Sequence, residues 1–281
     1  MNLSNKNIIH IKKENVEYIQ FRKLLEYRDI LTHAFSLGLE VNYRTIIRTN
    51  TGEINKTNYN KAIHDYGQLC SSLNLNKDNI VRPNQTHKDQ VKIVERKINE
   101  QRPDIYLQEY EETDGLITQK KNIILSTTSA DCILIFFFDP VTKTIANVHS
   151  GWKGTYKQIA VKAVNKMKKE CNVKPENVIC CMCPSIRACH FEVGKDVKDM
   201  FAEEFKDLKG IEEIIKKEED KKEKWKIDTI EINRKVLQNY GLKPENIIDS
   251  GLCTVCNSNI IHSYRAEKEG FGLETAIITL I

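Results

Sequence analysis

Little in this chain marks a membrane protein, a nucleic-acid binder or a disulfide scaffold. No apolar run reaches the length needed to span a bilayer. The stretch from Met1 to Lys13 is polar and lacks the apolar h-region of a signal peptide. Charge of one sign is also missing. The 43 basic residues nearly balance the 39 acidic ones, leaving a net charge of only +4, so the one-signed field of a nucleic-acid binder is absent. There is no Walker A sequence, no GxGxxG and no GxSxG. These absences lead us to expect a cytoplasmic protein that engages neither membranes nor nucleic acid. Its nine cysteines then read as reduced thiols, core residues or metal ligands.

With 281 residues the chain is long enough for one sizeable core. Val16 to Phe21 and Leu31 to Phe35 alternate as strands do. Asn42, Asn50, Thr51, Gly52 and Asn55 mark a turn-rich stretch. Tyr59, Ile63, Tyr66, Leu69 and Leu73 then recur at helical spacing. Ile80 to Val94 reads as two short strands around a polar corner. The near-continuous apolar runs Ile123 to Thr128 and Ile133 to Phe138 fit strands buried on both faces. Thr144 to Val148 reads as a further strand, and a helix follows Gly154. Val178 to Met182 and Glu274 to Ile281 read as strands, and Val193 to Phe205 and Ile230 to Tyr240 as helices. Lys206 to Lys226 is a dense mixed-charge run, expected to be a solvated helix or surface insert. The simplest architecture is α+β, a single layered domain over residues 1–281, with mixed β-sheets flanked by helices.

Three residues in one half of the chain offer soft or borderline metal ligands: His87 on the polar corner, Cys132 between two apolar runs, and His149 opening His149-Ser150-Gly151-Trp152-Lys153-Gly154. Two imidazoles and a thiolate are one ligand short of a closed tetrahedral site, which leaves a place for water and substrate. Sixteen residues separate Cys132 from His149, enough for one strand out and one back, so a hairpin could bring them together. Each residue also has an ordinary reading: a buried core thiol, a structural histidine, an exposed loop histidine. By residue type His10, His33, His64 and His262 compete with His87. Asp131 beside Cys132 is costly at a strand break unless it is hydrogen-bonded or placed for chemistry.

Two other cysteine groups stand out. Cys180, Cys181, Cys183 and Cys189 lie close together, and Cys253-Thr254-Val255-Cys256 is a C-x-x-C. A four-cysteine zinc site wants two such knuckles, and only one is present. We therefore read Cys256 as structural and expect Cys256→Ala to spare metal and turnover.

From about Thr32 to its end the chain resembles the YfiH-type laccase-domain family, also called polyphenol-oxidase-like and described as purine nucleoside phosphorylases. The likeness rests on Gln85-Thr86-His87, Thr128-Ser129-Ala130-Asp131-Cys132, His149-Ser150-Gly151-Trp152-Lys153-Gly154, Cys183-Pro184-Ser185-Ile186 with His190-Phe191-Glu192-Val193, Asp228 with Asn233-Arg234, and Cys253-Thr254 with Ser263-Tyr264-Arg265. The resemblance implies that His87, Cys132 and His149 bind zinc, and it is what singles out His87. It implies phosphorolysis of adenosine, inosine and methylthioadenosine, and deamination of adenosine, with a nucleoside and phosphate as small-molecule partners. For this chemistry Asp131 is the expected proton shuttle beside Cys132, and Lys153 and Arg265 are the expected phosphate anchors. Several family arginines are replaced: Gly38, Lys153, Ala266 and Leu273 stand at such positions. Two other readings share the ligand set: a zinc amidase editing a peptidoglycan precursor, and copper-dependent phenol oxidation. The latter usually draws on His-x-His pairs, and the seven histidines form none. A zinc-stabilised binding protein would instead need a fourth Cys or His beside the trio.

Overall fold

In a computed structural model, residues 2–45, 56–94, 110–219 and 221–281 are described. The turn-rich expectation for Asn50 to Asn55 lies outside them. Fifteen strands follow in order along these residues: β1 (Ile8–Lys13), β2 (Val16–Phe21), β3 (Leu31–Leu37), β4 (Ile80–Val81), β5 (Val91–Ile93), β6 (Gly115–Thr118), β7 (Ile124–Ser129) and β8 (Ile133–Asp139). Then come β9 (Thr144–Ser150), β10 (Ile179–Met182), β11 (Glu192–Val193), β12 (Ile215–Lys217), β13 (Trp225–Ile227), β14 (Ile247–Asp249) and β15 (Glu274–Leu280). One six-stranded sheet has the order β1-β2-β3-β15-β7-β4 and a second the order β14-β10-β8-β9-β6-β5. Both are mixed, since β4–β7, β10–β14 and β5–β6 pair in parallel and the other neighbours antiparallel. A small third sheet has the order β11-β13-β12.

The alternation of side chains along β8 shows how the layers stack. Leu134, Phe136 and Phe138 point into a core shared with Phe35, Leu125 and Ile278 of the first sheet. Ile133, Ile135 and Phe137 point the other way, against Ala160, Ala163, Val164 and Met167 of the helix Ile159–Cys171 and Ile230 and Leu237 of the helix Thr229–Asn239. The outer face of the first sheet is covered by the helix Lys56–Ser72, whose Tyr66 and Leu69 pack on Ala34, Ile124 and Ile277. The order is helix, sheet, sheet, helix. Both faces of β7 and β8 are therefore dry, and their apolar runs are what such strands require. Among the described residues no helix is long and apolar enough to cross a membrane.

Two sequence expectations change form. Ile8–Lys13, read as part of a polar terminus, pairs with β2 as an edge hairpin. Lys206 to Lys226 is not a continuous helix. Ile215–Lys217 and Trp225–Ile227 form a hairpin, and β13 pairs in turn with β11. Leu208, Ile214 and Ile227 supply buried anchors spaced through the charged run, so its apolar minority determines the structure.

Candidate metal centre

The chain crosses from one sheet to the other at two neighbouring corners. The segment between β4 and β5 carries His87, and Ala130-Asp131-Cys132 links β7 to β8. The β8–β9 hairpin returns the chain with Leu134 opposite His149 and Ile133 opposite Ser150. That register brings His149 beside Cys132, as the sixteen-residue spacing suggested. The ligand atoms of His87, Cys132 and His149 all lie within 4.8 Å of one another. The His87 and His149 rings meet edge to face, with centroids 4.9 Å apart. His87 is exposed, Cys132 half-buried and His149 buried.

Each corner is pinned by side chains far away in sequence. Gln85 Nε2 donates to Thr128 O at 2.8 Å, and its Oε1 accepts from Thr128 N at 2.8 Å. This amide acts as one more rung on β7. His87 itself has φ +58° and Asp131 φ +87°, left-handed values that need local support. For His87 the support comes from Asp114, a residue the sequence reading passed over. Its carboxylate accepts from the N–H groups of Thr86 (3.2 Å), His87 (3.0 Å) and Lys88 (2.9 Å). The same carboxylate bonds His149 Nδ1 at 2.8 Å, and Asp114 O accepts from His149 N at 2.7 Å. With Nδ1 tied, His149 presents Nε2 as its free lone pair, the usual carboxylate–histidine support of a metal ligand. An Asp before Gly115 at the start of a strand resembles any turn residue, so nothing in the sequence distinguished it.

The electrostatics suit a metal ligand set. Burial disfavours the Cys132 thiolate, but the His149 and His87 imidazoles outweigh that and hold the thiol down to about 6. Burial likewise disfavours charge on His149, yet Cys132 and Asp114 hold its ring up to about 9. Burial works against the Asp114 carboxylate too, but His149 and the N–H groups of Lys88 and Thr86 keep its pKa below the ordinary value. Gly151 closes one side of the trio. A Cβ there would stand 3.0 Å from Cys132 Sγ and 3.2 Å from His87 Cδ2, so main chain alone fits against the ligands. Among the described residues no fourth Cys, His, Asp or Glu joins the trio.

Two cavities flank Cys132. One, of about 490 Å³, is lined by the trio together with Arg44, Arg82 and Gln85. The other, of about 360 Å³, is mainly apolar and is lined by Ile133, Ile186, Phe191, Val193 and Arg265. Trp152 and Tyr264 border both. Each volume falls within the range of about 300–1,000 Å³ usual for small-molecule pockets.

The remaining expected site residues are placed as follows. The Asp131 carboxylate accepts from Thr254 Oγ1 (2.5 Å), Ser263 Oγ (2.7 Å) and Arg265 N (2.7 Å). Three donors tie it to the C-terminal segment, an arrangement suited to holding the Cys132 corner. Lys153 lines neither cavity. The helix Trp152–Tyr156 begins directly after Gly151 and turns Lys153 outward, with its Nζ 5.5 Å from the centre of the Trp152 ring. Arg265 borders the apolar cavity, and its guanidinium donates to His190 O at 2.8 Å and Glu192 O at 3.4 Å. The guanidinium groups facing the trio's own cavity belong to Arg44 and Arg82. Arg82 is buried, donates to Thr45 Oγ1 and to Tyr43 O, and has no partner for its Nε among the described residues.

Residues 42–281 match the family described as Multi-copper polyphenol oxidoreductase laccase. Purine nucleoside phosphorylase YlmD of Bacillus subtilis is 28% identical over 200 residues, covering 71% of this chain and 70% of that protein. Adenosine deaminase RL5, from an unknown prokaryotic organism, is 29% identical over 197 residues, 70% of this chain and 73% of its own length. Among solved structures, the hypothetical protein YfiH of Bacillus licheniformis superposes with a TM-score of 0.81 at 22% identity, covering 97% of this chain and 99% of that one.

Proposed function

The chain belongs to the multi-copper polyphenol oxidoreductase laccase family, and on that premise we propose that it is a zinc-dependent purine nucleoside phosphorylase that also deaminates adenosine. The observation that carries this reading is the three-ligand trio opening onto a cavity lined by two guanidinium groups and by aromatic rings. His87, Cys132 and His149 would hold the ion. Two imidazoles and one thiolate suit zinc, and three protein ligands are the usual number where a position must stay open. Bound there, zinc supplies Lewis acidity and a water that ionises at roughly neutral pH.

The chain's own residues do the rest. Trp152 and Tyr264 offer faces on which a purine can stack, and the apolar wall formed by Ile186, Phe191 and Val193 excludes water from the base. Arg44 and Arg82 are the donors for a phosphate oxyanion, which attacks C1′ of the ribose as the bond from C1′ to the base breaks. We assign Asp131 to holding the Cys132 corner and Asp114 to orienting His149. Lys153 and Arg265, the expected phosphate anchors, are given no contact with phosphate here. The test is turnover by purified, zinc-loaded protein. Adenosine and inosine should each yield free base and ribose 1-phosphate only when phosphate is added, and adenosine should yield inosine without it. Absence of base release from either nucleoside in the presence of phosphate would overturn the proposal.

A further inference from the structure

A second group of metal-ligating side chains lies outside the trio, where the turn before β11 meets the C-x-x-C. The Ala188-Cys189-His190 turn is closed by His190 N and Phe191 N, which both donate to Arg187 O at 2.8 Å. Beside it runs the segment carrying Cys253-Thr254-Val255-Cys256. Ser185 and Cys253 form a parallel bridge, and Thr254 N donates to Ser185 O at 3.1 Å. The short helical turn Val255–Asn257 folds Cys256 back toward Cys253. Four potential ligand atoms from Cys189, His190, Cys253 and Cys256 then lie within 4.8 Å of one another.

Four of their six separations lie close to the edges of a tetrahedron around a single ion. With zinc–sulfur bonds of about 2.3 Å and zinc–nitrogen bonds of about 2.0–2.1 Å, the expected ligand spacing is about 3.8 Å between sulfurs and about 3.6 Å between sulfur and nitrogen. Cys189 Sγ and Cys256 Sγ are 3.8 Å apart. His190 Nδ1 is 3.2 Å from Cys189 Sγ, 3.7 Å from Cys253 Sγ and 3.5 Å from Cys256 Sγ. A disulfide would need sulfurs about 2.05 Å apart. The main-chain N–H groups of Cys256 and Arg187 also point at the Cys253 sulfur, the kind of support a metal-bound thiolate receives in a zinc knuckle. No such convergence involves Cys180, Cys181 or Cys183, which are buried in the cores between sheets and helices.

We propose that Cys189, His190, Cys253 and Cys256 form a closed, four-ligand zinc site that clamps the 187–192 turn to the 253–257 segment. All four positions are filled by protein, so the site is structural. Its place in the fold gives it a task. Thr254, inside the knuckle, donates to Asp131 next to Cys132, and Phe191 and Glu192, which follow His190, line the apolar cavity. The clamp holds the cavity wall against the corner that carries the trio's thiolate.

The test counts metal in the full-length protein and reads its coordination. Wild type should bind two zinc ions, Cys132→Ala one, and Cys189→Ser or Cys256→Ser one. Cobalt substitution of Cys132→Ala should give the strong near-ultraviolet thiolate-to-metal bands and intense visible bands of a tetrahedral site with several sulfurs. These bands should be lost when Cys189→Ser is added to the Cys132→Ala background. Wild type need not be altered for the second readout: Cys189, Cys253 and Cys256 should resist alkylation until a chelator is added. One zinc per wild-type chain, or a Cys189–Cys256 disulfide in the freshly isolated protein, would overturn the proposal, as would a cobalt-loaded Cys132→Ala protein lacking those bands.

Discussion

The two ligand clusters differ in a way that separates chemistry from support. The trio draws its ligands from three distant segments, sits at the crossing between two sheets and faces a cavity. The quartet draws its ligands from two adjacent segments, leaves Cys189 and Cys256 exposed, and surrounds one imidazole nitrogen with three sulfurs. Among the described residues no fourth ligand-type side chain joins the trio, and Gly151, packed against it, brings none. In the quartet it is occupied by protein. Ligand count and what stands at the last position distinguish them, more than ligand type.

Removing the charge that orients the trio is the strongest way to break this contrast. Asp114→Asn keeps the shape but weakens the hold on His149 Nδ1 and on three main-chain N–H groups. Zinc affinity at the trio or turnover should fall about 10–100-fold, while the quartet's metal stays in place. Competition with a graded chelator series measures both. Equal weakening of the two sites would mean that Asp114 supports the whole fold.

Next is Arg82→Met. An apparent phosphate KM raised by about tenfold or more, with adenosine deamination kept, is the loss expected when a charge-assisted hydrogen bond of about 1.5–3 kcal/mol is removed. Lys153→Met should leave both activities close to wild type, because its side chain faces outward. The reverse ranking would restore Lys153 as the anchor and remove Arg82.

Gly151→Ala tests how tightly the trio is packed. The added methyl lies 3.0 Å from Cys132 Sγ, and overpacking of this kind costs about 1–3 kcal/mol. The cost should appear as weaker zinc binding at the trio with the melting temperature of the metal-free protein little changed. A large drop in that temperature instead would place the strain in the fold.

The smallest effect separates the two clusters by pH in chelator-treated protein. Cys132 is held down to about 6 against the cost of its burial, by His149 and His87, so its thiolate is present at neutral pH. Cys189 is pushed up by burial and by Cys253 and Cys256 beside it. As only the thiolate reacts, Cys132 alkylation should lose rate as pH falls through about 6 and level off above it. Alkylation of Cys189 should still be rising at pH 9. Parallel profiles would contradict the electrostatic difference.

The sequence carried the layers and part of the trio. The apolar runs on either side of Asp131 fit strands buried on both faces, and the Cys132–His149 spacing leaves room for a hairpin. His87 was one of several candidate histidines until the resemblance singled it out, because its position depends on Gln85 pairing with Thr128, 43 residues away. Asp114 was invisible for the same reason: its partners lie in two other segments. The hairpin in the charged run was hidden by composition, since Ile214 and Ile227 are few among many lysines and glutamates. The partner of the C-x-x-C was sought as a second C-x-x-C knuckle, in a group that held Cys180, Cys181, Cys183 and Cys189. It is an adjacent Cys-His pair, Cys189 and His190, whose fitness depends on a turn that residue spacing does not reveal. The expectation that Cys256→Ala spares all metal follows from that miss, and the proposed clamp reverses it.

The central claim is that one cluster is open and the other closed. Crystals of the zinc-loaded protein, measured with X-rays above and below the zinc absorption edge, test it directly. The account predicts two anomalous peaks: one bonded to His87, Cys132 and His149 with a fourth, non-protein ligand, and one bonded to Cys189, His190, Cys253 and Cys256 alone. A trio peak completed by a fourth protein side chain, or no peak at the trio, would contradict it.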